Sequence, residues 1–339
     1  MGLRECQYLH EPINGYAGAA NLVLIVLLLP AISLLGVILN FFNIFIFAEQ
    51  KNTAAKYLTA LSCSDVGVCM AGIFVIFSDS LRAYSFFVDQ LFVFILPMFI
   101  PLGLFFQMLS VYITVLAAFD CFYSVYRGED GELKRNTWAP RVLALVVISV
   151  AAYNAVQFGD LEAVECLHPD NYTLYELSPT ELRISDAYVV IYKGYLYALT
   201  MAILPFLLLS VLTISILIML RKKDQNPDEK SDCGDDNNPI VLLLVILLFL
   251  CCNLTSLMVN VFEMMKYKMS YEAEAVLIDI GNFLVVINAT ANFFVYMASD
   301  QEFRISFYRR IRRMFRSKPN TMSEQRLRFF NGHSIGSSL

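Results

Sequence analysis

PINGYAGAANLVLIVLLLPAISLLGVILNFFNIFIFA, the stretch Pro12–Ala48, contains no Asp, Glu, Lys or Arg. An uncharged apolar run longer than about 18 residues is typical of a membrane span. The whole chain of 339 residues is 58% hydrophobic and 16% charged. Soluble domains average about 45–50% apolar and about 25% charged residues. The composition therefore excludes a soluble enzyme and a nucleic-acid-binding protein.

Six further segments share the length and the low charge of this first one. We predict membrane-spanning helices near residues 20–48, 57–78, 91–123, 140–158, 187–220, 240–264 and 276–298. The predicted fold is an all-α membrane protein, a seven-transmembrane helix bundle over residues 20–298. A tail over residues 1–19 precedes this bundle.

The basic residues are distributed unevenly between the two ends of the predicted bundle, with 19 on one side and 6 on the other. Because cytoplasmic loops are enriched in Lys and Arg, this bias predicts an extracellular N-terminus. The glycosylation acceptor Asn171-Tyr-Thr then lies outside. Cys6 and Cys166 also lie on that oxidising side, which permits a disulfide between them. Two separate thiols are the alternative.

The residues after the seventh span predict an amphipathic cytoplasmic helix over 299–319 and a disordered tail over 320–339. Phe303, Phe307, Ile311 and Phe315 recur every four residues, and arginines cover the other faces. Such a helix lies in the interface and contacts anionic lipid. The chain ends in Ser337-Ser-Leu339, which has the form of a C-terminal ligand for a PDZ domain.

Polar side chains inside the spans indicate function, because the bilayer disfavours them. The second span contains Asp65. The third, sixth and seventh spans contain polar stripes: Gln107, Ser110 and Thr114; Asn253, Ser256, Asn260 and Glu263; Asp279, Asn282, Asn288, Asn292 and Tyr296. Interhelical hydrogen bonding explains Ser110 and Thr114 on their own. It does not explain a carboxylate or three asparagines in one span.

Several of these positions belong to motifs that resemble those of rhodopsin-like (class A) G-protein-coupled receptors. The motifs are Gly36-Val-Ile-Leu-Asn40, Leu61-Ser-Cys-Ser-Asp65, Pro205, Phe249-Leu-Cys-Cys252 and Asn292-Phe-Phe-Val-Tyr296. Within that family the chain is similar to invertebrate FMRFamide-type and related nematode neuropeptide receptors. The residues that carry this likeness are Ser110-Val-Tyr-Ile-Thr-Val115, Tyr153-Asn154, Cys252-Asn253-Leu254 with Asn260 and Glu263, and Asn288–Tyr296.

The resemblance implies a plasma-membrane receptor that binds an extracellular ligand and couples to a heterotrimeric G protein. It implies an allosteric sodium site at Asp65, Ser110, Asn288 and Asn292. No other metal or cofactor is expected. The sequence shows no cluster of nucleophile and base and no metal-ligand cluster, so we expect no enzymatic activity.

The implied activation switch comprises Asp120, Cys121, Phe122, Asn253 and Tyr296. Here the sequence departs from the family pattern, because Cys121 replaces the arginine of the Asp-Arg-Tyr triplet. A receptor with weak or no G-protein coupling is therefore an alternative. The family's third-span cysteine, the usual disulfide partner of the outer loop, is replaced by Leu96, which draws attention to Cys6 as a partner for Cys166.

The predicted outer side carries 15 acidic and 6 basic residues, and such a rim attracts cationic ligands. The resemblance implies a neuropeptide ligand that is FMRFamide-like, and a peptide ending in Arg-Phe-amide would suit this acidic rim. The predicted pocket residues are Gln107, Tyr192, Asn260, Glu263 and Asn282. A chemosensory receptor for a small molecule is the alternative within receptors. A transporter or channel is the alternative from another class.

Overall fold

A computed structural model describes residues 4–6, 15–127, 132–168, 170, 172–225, 239–264 and 270–315. The chain divides into two compact units, Met1–Asp300 and Gln301–Leu339, which are described separately. The glycosylation site predicted at Asn171 and the predicted tail over 320–339, with its PDZ-type end, lie outside the described residues.

Within these ranges, seven helices are long and apolar enough to cross a membrane, which confirms the predicted seven-helix fold. They are α1 (Gly15–Phe47), α2 (Thr53–Arg82), α3 (Phe86–Arg127), α4 (Glu132–Asn154), α5 (188–225), α6 (Pro239–Met264) and α7 (Tyr271–Ser299). Helices α1, α2 and α5 contain π-helical segments. A 3₁₀ turn, Ala155–Gly159, follows α4.

Helices α1, α2, α3, α4 and α7 begin several residues before the predicted hydrophobic ranges, and polar caps set the first turns of α2 and α7. The side chain of Asn52 accepts a 2.8 Å hydrogen bond from the Ala55 amide at the start of α2. Ser270 accepts a 3.3 Å bond from the Ala273 amide at the start of α7. Each cap satisfies a backbone N–H that has no partner within the helix. Hydropathy does not detect such caps.

Besides its apolar core, the bundle buries many polar side chains and exposes many apolar ones. Leu34, Ile148 and Val211 are 58%, 66% and 62% exposed, whereas Asn40 and Asp65 have no exposed surface. A water-soluble bundle turns its apolar stripe inward. The reversed pattern fits a bundle surrounded by lipid, with its polar groups facing one another.

Helix α3 contacts α2, α4, α5 and α6, so it links most of the bundle. Gly67 of α2 faces the ring of Phe106 in α3, and a Cβ atom at Gly67 would overlap that ring. Small residues allow membrane helices to approach closely in this way. The close approach of α2 and α3 brings their polar residues within hydrogen-bonding reach.

The segment between α4 and α5 contains a β-hairpin that the hydropathy pattern did not predict. Strand β1 (Leu161–Leu167) pairs antiparallel with β2 (Thr173–Pro179), and Cys166 lies opposite Leu174. Side chains of β2 alternate between exposed and buried over its first four residues, the period-two signal of a strand. A short helical turn, Glu181–Ile184, leads from the hairpin towards α5.

The N-terminal segment lies beside β1 and is linked to it covalently. The Cys6 amide donates to the Leu167 carbonyl at 3.2 Å, and the Leu167 amide donates to the Arg4 carbonyl at 2.9 Å. Cys6 and Cys166 form a disulfide. The Arg4 guanidinium also pairs at 3.0 Å with Glu176, which is buried and is therefore not a free charge on the acidic rim.

Helix α3 is joined to β2 by hydrogen bonds. The side-chain amide of Gln90 accepts from the Tyr175 amide at 2.9 Å and donates to the Tyr175 carbonyl at 3.0 Å. The rings of Phe94 and Tyr175 pack edge to face, with centroids 4.8 Å apart. The two hydrogen bonds and this ring contact lie near the buried Leu96.

The second unit contains α8 (Gln301–Phe315), where an amphipathic helix was predicted. Its first turn contains Glu302, and its last turn contains Arg312 and Arg313, which suit the positive and negative ends of the helix dipole. Residues 316–319 of the predicted range lie outside the described residues.

Candidate functional site

A buried carboxylate connects three helices inside the bundle. The Ser110 hydroxyl of α3 donates a 2.7 Å hydrogen bond to Oδ1 of Asp65 in α2. Nδ2 of Asn292 in α7 donates a 2.8 Å bond to Oδ2 of the same carboxylate. Three of the four residues predicted for the sodium site are therefore in direct contact.

The fourth, Asn288, is buried one helical turn before Asn292. Oδ1 of Asn288 and Oδ1 of Asn292 are buried and make no hydrogen bond to a described residue. Buried polar atoms normally have a partner. A carboxylate, a hydroxyl and amide oxygens are the ligands that hard cations such as Na⁺ and Ca²⁺ prefer. The donor set therefore fits the predicted ion.

A cleft opens between α3, α5 and α6. Its lining combines apolar side chains with four polar ones, Gln107, Tyr197, Asn253 and Ser256. Gln107 makes no hydrogen bond within the described part of the chain. The cleft is thus apolar with a few polar groups, which is the usual character of a ligand site.

Of the five predicted pocket residues, the structure describes the side chains of three, and one of these three lines the cleft. Gln107 lines the cleft between α3, α5 and α6, whereas Tyr192 and Asn282 do not. Asn260 and Glu263 lie in α6, but their side chains are outside the described set.

Tyr192 of α5 packs against the end of α4. Its hydroxyl donates a 2.5 Å hydrogen bond to the Tyr153 carbonyl, and its ring stacks on the rings of Tyr153 and Tyr188. Gln157 donates a 3.4 Å bond to the same hydroxyl. These contacts hold Tyr192 of α5 against α4, and its assignment to the pocket stays a prediction.

Next to Tyr188 lies a second buried carboxylate, which sequence reasoning missed. Asp160 accepts a hydrogen bond from the Tyr188 hydroxyl and pairs with Lys193 at 2.7 Å and with Arg183 at 3.2 Å. These partners come from the segment after the hairpin and from α5. Sequence reasoning did not find the cluster because its residues come from separate segments of the chain. The signal that could have found it is Asp160 itself, an acidic residue just after the predicted span 140–158.

A third buried carboxylate lies between α1, α2 and α7. Nδ2 of Asn21 donates to Oδ2 of Asp279 at 3.0 Å and to the Ser80 hydroxyl at 3.1 Å. Asp279 is 9% exposed, and Oδ1 of Asp279 makes no hydrogen bond to a described residue. Its hydrogen-bond donor is a neutral amide, so the negative charge is not balanced there. A cation would be stabilised at this position.

The predicted switch residues occupy separate places. Asp120 pairs with Arg135 of α4 at 3.4 Å, and Cys121 beside it is buried. Phe122 stacks on Tyr126, with centroids 6.4 Å apart. These side chains form a cluster at the end of α3.

The other two switch residues lie in α6 and α7. Tyr296 is fully buried and meets the ring of Phe47 in α1 edge-on at 4.9 Å. Asn253 donates a 2.9 Å hydrogen bond to the Phe249 carbonyl and borders the ligand cleft.

No protein-family model matches the chain. The chain is similar to the probable G-protein coupled receptor frpr-1 of Caenorhabditis elegans, with 31% identity over 304 residues, which cover 84% of this chain and 78% of that protein. It is also similar to the FMRFamide receptor of Drosophila melanogaster, with 23% identity over 307 residues. That match covers 86% of this chain and 55% of the Drosophila receptor.

Proposed function

The chain belongs to the G-protein-coupled receptors, and we propose that it is a neuropeptide receptor of the FMRFamide type. The observation that carries the proposal is the similarity to the Drosophila FMRFamide receptor along 86% of this chain. Neither relative is a transporter or a channel, so those alternatives are not favoured. Membership in this family also makes the chain a multi-pass plasma-membrane protein that responds to an extracellular ligand.

The proposed orientation places the N-terminus and the hairpin outside the cell. The excess of Lys and Arg at the other end of the bundle supports it. The disulfide between Cys6 and Cys166 gives independent support, because such bonds persist in oxidising compartments. In this orientation Asn171 is available for glycosylation, and the arginines of α8 face anionic lipid on the cytoplasmic side.

The proposed ligand is a short amidated peptide with a cationic residue near its C-terminus. The cleft lined by Gln107, Asn253 and Ser256 offers apolar surface for a ring and polar groups for a terminal amide. Asp279 offers a buried carboxylate for a guanidinium, which forms its strongest hydrogen bonds with carboxylates. Asn260, Glu263 and Asn282 remain proposed contacts.

The proposed sodium site supports a resting state of the receptor. Asp65, Ser110, Asn288 and Asn292 would hold the ion. A bound cation would neutralise the buried carboxylate and stabilise the arrangement of α2, α3 and α7 around it. A ligand that favours another arrangement would then compete with the ion through linkage.

The test uses cells that express the full chain together with sensors of G-protein activation. A library of amidated peptides is applied, and we expect activation by peptides that end in Arg-Phe-amide. The matched controls are the same peptides with a free C-terminal carboxylate and with citrulline in place of arginine. Citrulline keeps the shape of the side chain and removes its charge. A response to small molecules without any response to amidated peptides would favour the chemosensory alternative.

A further inference from the structure

The end of α3 contains a carboxylate whose neighbour in sequence cannot neutralise it. Only 11% of the Asp120 side chain is exposed, and the next residue is Cys121, a neutral thiol that is itself buried. A poorly exposed carboxylate is costly unless a cation or several donors satisfy it. The cation that neutralises Asp120 must therefore come from another position in the fold.

Arg135 of α4 provides that cation. Its Nη1 donates to the Asp120 carbonyl at 3.2 Å and to Oδ1 of Asp120 at 3.4 Å. The guanidinium lies 5.9 Å from the ring centroid of Tyr123, one turn further along α3. Only 11% of the Arg135 side chain is exposed. The guanidinium thus holds both the backbone and the side chain at the end of α3.

The bond between these helices is suited to opening. Nε of Arg135 is buried and makes no hydrogen bond to a described residue, so the guanidinium is not saturated. The contact to Oδ1 is long and runs through one nitrogen, whereas a strong arginine–carboxylate pair uses two parallel bonds. Separation would nevertheless leave two poorly solvated charges apart, which disfavours the separated state. The contact between Arg135 and Asp120 therefore has a formed state and a separated state, and it restrains α3 against α4 while it is formed.

We propose that Arg135 restrains α3 in the resting receptor and that activation separates Arg135 from Asp120. The proposal rests on the membership of the chain in the G-protein-coupled receptors and is independent of the identity of the ligand. The proposal also accounts for Cys121, which stands where the family has an arginine, because α4 supplies the positive charge that α3 lacks. Signalling without ligand is therefore controlled by a pair of residues 15 positions apart.

The first experiment measures ligand-independent G-protein activation at equal surface expression. Arg135→Ala and Asp120→Asn should each raise it by about fivefold or more, since coupling energies of this kind shift equilibria by at least that factor. The exchanged pair, Asp120→Arg with Arg135→Asp, should return it towards the wild-type level. Arg141→Ala is the matched control, because Arg141 lies on α4 and its guanidinium packs on Trp138 at 5.7 Å.

A second readout requires neither a ligand nor a G protein. A membrane-permeant maleimide is applied, and alkylation of each cysteine is quantified by mass spectrometry. Cys121 is buried and should be labelled several times faster in Arg135→Ala and Asp120→Asn than in the wild type. Cys69 and Cys252, two other buried thiols of the bundle, serve as internal references, because their labelling should not change.

Two results would overturn the proposal. One is unchanged Cys121 labelling in Arg135→Ala. The other is an equal rise of signalling in Arg135→Ala and Arg141→Ala. If Arg135→Ala does not reach the surface, Arg135→Gln, which removes the charge and keeps a polar side chain, provides the same comparison, together with the exchanged pair. Failure of the peptide screen would refute the proposed ligand class and leave these readouts intact.

Discussion

The Ser110 hydroxyl donates a 2.7 Å hydrogen bond to Oδ1 of Asp65, and this bond joins α3 to α2 at a carboxylate with no exposed surface. Asn292 adds α7 to the same carboxylate. A change in the position of any of these three helices must therefore break or stretch a bond to Asp65.

Removal of sodium should strengthen agonist binding in the wild-type receptor. If the ion stabilises the resting arrangement around Asp65, replacing NaCl by choline chloride at equal ionic strength should raise agonist affinity by about fivefold or more. Asp65→Asn should abolish this dependence, and Asp279→Asn should retain it. Competition binding with a labelled agonist provides the measurement. The same sodium dependence in Asp65→Asn would exclude this site.

Loss of the disulfide should destabilise the receptor. Cys6→Ser, Cys166→Ser and the double variant should each lower the free energy of unfolding by about 2–4 kcal/mol. The double variant should equal the single ones, because each single change already removes the bond. Thermal unfolding of the detergent-solubilised receptor would check this, with the exposed Cys63→Ser as the control. Additive losses would contradict a shared bond.

The Asp160 cluster should contribute to stability rather than to ligand recognition. Asp160→Ala leaves Lys193 and Arg183 without their carboxylate, and removing one partner of a buried pair costs about 3 kcal/mol or more. We expect earlier thermal unfolding and little change in agonist potency of the folded receptor. Glu162→Ala, at an exposed position of β1, is the matched control. Normal stability with lost potency would place Asp160 in the ligand site.

Asp279 should determine the preference for a cationic peptide. Asp279→Asn should weaken an Arg-containing agonist by at least about tenfold, because removal of one partner of a buried charge pair is costly. The citrulline analogue should lose little, since it has no charge to pair. Glu274→Gln changes an exposed acid of the same helix and should have a small effect. Equal losses for both peptides would assign Asp279 a structural role.

The sequence predicted what depends on local composition. Seven apolar segments became seven helices, because each span must satisfy its backbone hydrogen bonds internally. Asp65 was singled out because interhelical hydrogen bonding alone does not explain a carboxylate inside a span. Ser110 and Asn292 were assigned to the same site because the family motifs place them together with Asp65. Their contacts in the structure agree with that expectation.

What the sequence did not predict depends on contacts between distant segments. Neither Asp160 nor Arg135 lies inside a predicted span, and their burial arises only when α3, α4 and α5 pack together. Tyr192 had the composition of an aromatic pocket residue, but hydrogen bonding and stacking hold it against α4. The hairpin was missed because two seven-residue strands are short compared with the helices around them.

The link between Gln90 and Tyr175 has a mechanical consequence. The hairpin is joined to the N-terminal segment by a covalent bond, but to α3 by two hydrogen bonds and two ring contacts, Phe94 with Tyr175 and Phe86 with Tyr172. Hydrogen bonds of this kind open and close thermally, whereas a disulfide does not exchange without a thiol. The edge of the hairpin that faces α3 can therefore open and close without any covalent change, whereas the bond between Cys6 and Cys166 keeps the N-terminal segment attached to β1.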